Sequence, residues 1–334
     1  MAEHPAEPAA LVLVGCGAIS RAYLSALERV PGLRLAAAVD RDEGARRTVA
    51  EANGVPAFAD VGQLLAHGPR CLAALVLTPP DTHEALTTQL LEAGLHVLCE
   101  KPLAPTVAAA QRMLSVARSR DRRLMLGSKF RYTADVQKAH ELLQQGLCGD
   151  VVLYENVFCA FVAMTGRWNA DPAHSGGGVL IDNGCHSVDV ARYLLGPIAR
   201  VQAQFGRRVQ DVPVEDTARL LFTSRSGALG VVDLSWSLFK ETSAYVRLHG
   251  NEGTIEIGWQ QSRYKRRGEA DWTVFGRGYD KIAAFAAQLE DFARAVAGGG
   301  HPVIDDEDAL ASVSVIDCAY RSAEAERWLD VPSP

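Results

Sequence analysis

The residues of this chain that could do chemistry gather at strand ends, in one glycine turn and at the start of one helical stretch. Glu100-Lys101-Pro102 follows the apolar run Leu95 to Cys99, so a lysine stands where a buried strand stops. An ammonium there can stabilise negative charge developing on an oxygen. Further on, Gly176-Gly177-Gly178 leads to Asp182-Asn183-Gly184-Cys185-His186, with Asp189 beyond. If a helix begins near Asn183, then Asp182, His186 and Asp189 share one face by the 3/4 spacing. A histidine in a first helical turn feels the positive dipole end, which favours the neutral imidazole a general base needs. Asp182 would orient that ring or stabilise its cation. Other uses of the same residues stay open: Lys101 as a surface lysine paired with Glu100, Asp182 as a plain helix cap, and the Asp182/His186/Asp189 trio as ligands of a divalent metal.

A second set of residues suits a dinucleotide. Gly15-Cys16-Gly17-Ala18-Ile19-Ser20 lies between the apolar run Leu11 to Val14 and a helix-spaced stretch. Two glycines there allow a tight turn and close approach to a pyrophosphate, and a helix start offers free N–H groups. Ser20 stands where a third glycine is usual, and a small residue should fit. A second strand, Leu33 to Val39, ends in Asp40, whose carboxylate would accept both ribose hydroxyls and repel a 2′-phosphate. NAD is therefore expected over NADP, although Arg41 could pair with such a phosphate or stack on adenine. Thr78-Pro79-Pro80, followed by His83, ends another strand, where open α/β sheets bind ligands. His83 is expected either to touch the cofactor or to be a solvated surface histidine.

The elements that must carry these residues alternate in period. Strand-like runs (11–14, 33–39, 72–77, 95–99, 124–126) alternate with helical ones (19–29, 45–52, 82–93, 107–119), which implies a parallel sheet with helices on both faces, complete near residue 128. After a helix at 134–145, strand-like stretches at 151–160, 199–208, 218–223, 228–237 and 244–248 suggest an open, antiparallel or mixed sheet. One helix (185–195) interrupts them and two more (282–296 and 309–328) follow, with Gly298-Gly299-Gly300 as a flexible link. The expected domains are 1–128, binding the dinucleotide, and 129–334, binding substrate and making oligomer contacts.

Composition bounds the function. At 334 residues, 48% hydrophobic and 22% charged, the chain reads as an ordinary globular protein of two domains. A net charge of −6 argues against a nucleic-acid binder and suits a neutral or cationic small substrate. Seven dispersed cysteines with no C-x-x-C spacing read as buried small hydrophobes in a reducing cytoplasm. Met1 to Ala10 carries acids and no basic region, so no signal peptide is expected, and no run approaches a membrane span.

Taken in order, Gly15-Cys16-Gly17, Asp40, Thr78-Pro79-Pro80 with His83, Glu100-Lys101-Pro102 and Asp182-x-Gly184-x-His186 resemble the Gfo/Idh/MocA family of glucose–fructose oxidoreductase, inositol dehydrogenase and rhizopine-catabolism proteins. The resemblance implies an N-terminal Rossmann domain, a C-terminal α/β domain whose open sheet makes dimer or tetramer contacts, and NAD(P)-dependent chemistry on a sugar or cyclitol hydroxyl. It assigns catalysis to Lys101, Asp182 and His186. Together, these readings put the cofactor on Gly15, Cys16, Gly17, Ala18, Ile19, Asp40, Arg41, Thr78, Pro79, Pro80, His83, Glu100 and Lys101. They put substrate on Lys101, Arg131, Tyr132, Trp168, Asp182, Asn183 and His186, with Arg131, Tyr132 and Trp168 placed there by the resemblance. NAD-dependent glycoside hydrolysis, a metal-dependent isomerase or hydrolase, and a non-catalytic NAD sensor remain as alternatives, and an aminosugar or aminoglycoside of antibiotic biosynthesis is one expected substrate.

Overall fold

The computed structural model describes residues 7–332; the leader reading of Met1 to Ala10 rests partly on residues 1–6, outside that range. The chain divides into two compact units, one ending at Gly127 and regaining Lys281–Leu310, the other formed by Ser128–Asp280 and the segment from Ala311 on.

In the first unit strands and helices alternate as β1 (Ala9–Val14), α1 (Ser20–Leu27), β2 (Leu33–Val39), α2 (Glu43–Asn53), β3 (Ala57–Phe58), α3 (Val61–His67), β4 (Ala73–Val76), α4 (His83–Glu92), β5 (His96–Glu100), α5 (Val107–Ser119) and β6 (Leu124–Gly127), with β3 and α3 beyond the expected set. The six strands pair in parallel in the order β3-β2-β1-β4-β5-β6. Strands covered on both faces must be apolar throughout, and β4, Ala73–Val76, is buried at every position. Polar residues set the helix starts: Asp42, Asp60 and Thr106 each accept a backbone N–H of the following turn. The order reverses between β1 and β4, and at such a switch point open α/β sheets hold ligands beyond the carboxyl ends of their strands.

The second unit opens with α6 (Ala134–Gln144), β7 (Val151–Cys159), the short α7 (Pro172–Ser175) and α8 (Val179–Asp182), and α9 (Gly184–Leu195). Seven strands follow: β8 (Ile198–Phe205), β9 (Thr217–Ser224), β10 (Leu229–Ser235), β11 (Ala244–Gly250), β12 (Gly253–Gly258), β13 (Ser262–Arg266) and β14 (Thr273–Gly276). With β7 and the two-residue β15 (Leu329–Asp330) they form a nine-stranded sheet, antiparallel except for the parallel pair β7/β10. One face packs Tyr154, Phe158, Leu220, Phe222, Val232 and Leu248 into the core with α9. The other keeps Leu153, Leu221 and Leu229 in solvent beside an ion-pair row Arg263–Glu256–Arg247–Glu155.

Three features depart from expectation. The helix α10 (Lys281–Val296) belongs to the first unit, not the second. Its apolar stripe packs on α1, with the Phe285 and Tyr23 rings 4.4 Å apart and Gln288 donating to the Tyr23 hydroxyl at 2.9 Å. The Gly298-Gly299-Gly300 link is a shaped turn, for Arg294 reaches the Gly299 and His301 carbonyls. The last helix, α11, spans Asp306–Glu324 and not 309–328; Asp305 caps its start and Glu326 turns left-handed after its end.

Candidate functional site

On the carboxyl edge of the parallel sheet the glycine turn leaves β1 and enters α1. Gly15 has φ +98°, and a Cβ there would sit 2.8 Å from the Leu77 carbonyl carbon, so only glycine fits. A Cβ on Gly17 would meet nothing within 4 Å, which leaves the open cradle a pyrophosphate needs. Ser20 is buried where the third glycine was missing, and its hydroxyl donates to the Gly17 carbonyl at 2.7 Å. Asp40 closes the turn from β2: its carboxylate accepts from the Cys16 N–H at 2.7 Å and the Asp42 N–H at 2.9 Å. Each oxygen keeps acceptor capacity for ribose hydroxyls. Burial and the nearby Asp40 push the Cys16 thiol up to about 12, so it stays protonated. This turn fits a dinucleotide.

The Thr78-Pro79-Pro80 and Glu100-Lys101-Pro102 turns lie on the same edge, joined by His83. That ring is fully buried, with Nδ1 2.9 Å from the Pro102 carbonyl and Nε2 2.8 Å from the Thr78 carbonyl. Burial lowers its pKa below the ordinary 6.5 despite these carbonyls. Glu100 turns inward as well, accepting from the Tyr23 hydroxyl at 2.7 Å and from the Lys101 N–H at 3.0 Å. The Glu100 carboxylate therefore holds the backbone of the turn that presents Lys101.

In the second unit, Glu215 anchors the segment leading to Asp182. One carboxylate oxygen accepts from the Gly178 N–H (3.0 Å), the Leu180 N–H (3.1 Å) and the Tyr320 hydroxyl (2.7 Å), while the Glu215 carbonyl takes the Val179 N–H. Gly178 is obligatory because a Cβ would overlap that carbonyl. Asn183 is helical and links α8 to α9, with the Asn183 N–H on Val179 and the Ser187 N–H on Asn183. On α9, the buried Asp189 accepts from Arg131 at 2.6 Å and from Ser128 at 2.8 Å. His186 is 6% exposed, meets the Phe130 ring edge-on at 5.0 Å, and has Nε2 3.2 Å from Lys129 Nζ.

Residues 10–128 match the Gfo/Idh/MocA oxidoreductase family with its NAD-binding Rossmann fold, and residues 136–256 match the C-terminal domain of the same family. The chain belongs to that family. It is similar to a D-apiose dehydrogenase of Paraburkholderia graminis, 26% identical over 96% of this chain and 89% of the relative. It is also similar to the rhizopine catabolism protein MocA of Rhizobium meliloti, 28% identical over 92% of this chain and 93% of that one. Among solved structures, aldose–aldose oxidoreductase from Caulobacter crescentus superposes with a TM-score of 0.88 at 26% identity, covering 97% of this chain and 99% of that one.

As a Gfo/Idh/MocA oxidoreductase the protein uses NAD, and the glycine turn with Asp40 would hold it. Several individual expectations need correction. His83 is not a surface histidine: it is fully buried between the Thr78 and Pro102 carbonyls, and the neutral ring donates to one of them. Glu100 is likewise turned away from the edge, toward Tyr23. Arg131 and Tyr132 were expected to line a substrate pocket, but both are buried, and the Arg131 guanidinium is committed to Asp189. That commitment also removes Asp189 from any metal site with Asp182 and His186. Trp168 is 42% exposed on the loop before α7. His186 is the third residue of α9, in the first turn of a helix that begins at Gly184 after α8 ends at Asp182. Lys129, Glu215 and Tyr320 were missed. Their one sequence signal is Ser128-Lys129-Phe130-Arg131, two cations flanking an aromatic directly after a strand.

Proposed function

We propose that the protein transfers a hydride between NAD and a secondary hydroxyl, or the matching ketone, of a sugar, aminosugar or cyclitol, with Lys101, Asp182 and His186 as the catalytic set. The observation that carries the reading is the edge of the parallel sheet, where an open glycine cradle, an acid after β2 and an anchored lysine after β5 stand together. NAD supplies the hydride acceptor when bound. His186 takes the hydroxyl proton, Asp182 supports the ring, and Lys101 donates to the oxygen as it gains negative charge, worth about 3 kcal/mol for a well-placed donor. Reduction of a ketone runs through the same groups in reverse. Gly15, Cys16, Gly17, Ala18, Ile19, Asp40, Arg41 and the Thr78-Pro79-Pro80 turn hold the dinucleotide; Trp168 and Asn183 serve the substrate.

The net charge of −6 supports a neutral or cationic substrate, with an aminoglycoside-type amine of antibiotic biosynthesis as the specific choice. Seven free thiols support a cytoplasmic location. Among the described residues no helix is long and apolar enough to cross a membrane. The test is a screen of sugars, cyclitols and aminoglycosides with NAD, followed by absorbance of the reduced cofactor. Net NADH release is expected with one class, and Lys101→Ala should lose roughly 10²-fold or more in turnover while still binding NADH. Undiminished turnover in that variant removes Lys101 from the mechanism.

A further inference from the structure

We propose that Lys129 is a positioning residue for His186, fixing the imidazole as the tautomer with its proton on Nδ1 and its lone pair on Nε2; this rests on the reading of His186 as proton acceptor. Lys129 Nζ lies 3.2 Å from His186 Nε2. An ammonium carries three donors and no acceptor, whereas a ring nitrogen of neutral histidine is one or the other. The nitrogen facing Lys129 is therefore the bare one, and the ring proton lies on Nδ1.

The neighbouring residues hold this contact in place. Lys129 and Arg131 share one turn of 3-10 helix, Lys129–Tyr132, with Ser128 at its start. Ser128 and Arg131 both grip Asp189, which lies one turn along α9 from His186. The buried clamp thus sets the distance between the ammonium and the imidazole. Phe130, between the two cations, packs its ring 5.0 Å from that of His186 and 4.9 Å from Lys129 Nζ, so a flip of the imidazole would have to displace it. When substrate enters, its O–H takes the place of the ammonium on Nε2. The O–H bond then breaks and an N–H bond forms on Nε2, NAD when bound would supply the acceptor for the C–H electron pair, and Lys129 keeps its own protons.

The experiment uses the full-length holoenzyme labelled with ring-15N histidine, with the His186 signals assigned by their loss in His186→Gln. In the wild type, Nε2 is expected unprotonated and Nδ1 protonated. Lys129→Met should give tautomer-averaged signals and a kcat about tenfold lower, part of the roughly 10²–10⁴-fold an oriented base contributes. KM for NAD should not move, and Lys129→Arg should restore both the tautomer and most of kcat. A protonated Nε2 in the wild type, or an unchanged ring spectrum or kcat in Lys129→Met, overturns the proposal. The wild-type spectrum needs no variant to fold. Because it reads the ring independently of turnover, a His186→Gln enzyme that still turned over would remove the base while leaving the tautomer assignment standing.

Discussion

At the scale of single residues, the side chains around the proposed chemistry separate into those that present a group and those that hold the presenter. His83 is of the second kind, and its protonation links the two turns to pH. Burial lowers its pKa in the folded protein below the unfolded value near 6.5. The unfolded chain therefore binds more protons than the folded one as pH falls through that region, and stability must fall with it. The His83 contribution is present above about pH 6.5 and lost below it. His96 and His140 are shifted in the same direction and add to the slope. Urea unfolding midpoints measured from pH 7.5 down to 5 (a range of about one to two units either side of the free imidazole value) should decline, and His83→Asn should decline less steeply. Equal slopes would mean that the folded and unfolded chains hold the His83 proton alike and that burial does not lower its pKa. Histidine as a residue type was legible in the sequence here, but its burial was not, because the carbonyl of Pro102 lies 19 positions away.

At the scale of elements, α9 is held by the turn that precedes α6. Arg131 and Asp189 are 2% and 0% exposed and directly paired, so removing one charge strands the other away from water. Arg131→Met is expected to cost about 3–5 kcal/mol of stability. Adding Asp189→Leu should recover much of that, because an apolar pair leaves no uncompensated charge; chemical denaturation of the single and double variants checks it. If the single variant loses under ~1 kcal/mol, the pair is solvated and the clamp is not buried as described. Elements with strong periodicity were legible before any coordinates: β1, α1, β2, α4, β5 and α5 alternate cleanly. The sheet's far edge was not. Ser262–Arg266 carries three charged side chains in five residues and pairs only with short neighbours, so no apolar alternation marks it. Arg131 was misassigned for a related reason: sequence shows a charge, not the carboxylate 58 positions on that takes it.

For the whole molecule, the exposed face of the nine-stranded sheet bears on assembly. Leu153, Leu221 and Leu229 are 46%, 37% and 54% exposed on one face, next to alternating charges that could meet their own copies about a two-fold axis. We propose a homodimer or homotetramer through this face. Light scattering should give a multiple of the 35.9 kDa chain mass, and Leu153→Glu with Leu229→Glu should reduce it to one. A monomeric wild type would end the proposal. The division of the chain was only half legible: the break near residue 128 follows from the end of the βα alternation, but an apolar stripe on residues 281–296 does not reveal which partner it will choose.

That choice makes the cofactor-binding unit discontinuous in sequence. A fragment cut after β6 would strip the cover from Tyr23 and leave its hydroxyl, still bound to Glu100, without the amide of Gln288. The turn bearing Lys101 thus hangs, through two side chains, on a helix translated some 180 residues later. During synthesis on the ribosome, this half of the enzyme cannot complete its interior until nearly all of the other half has already emerged.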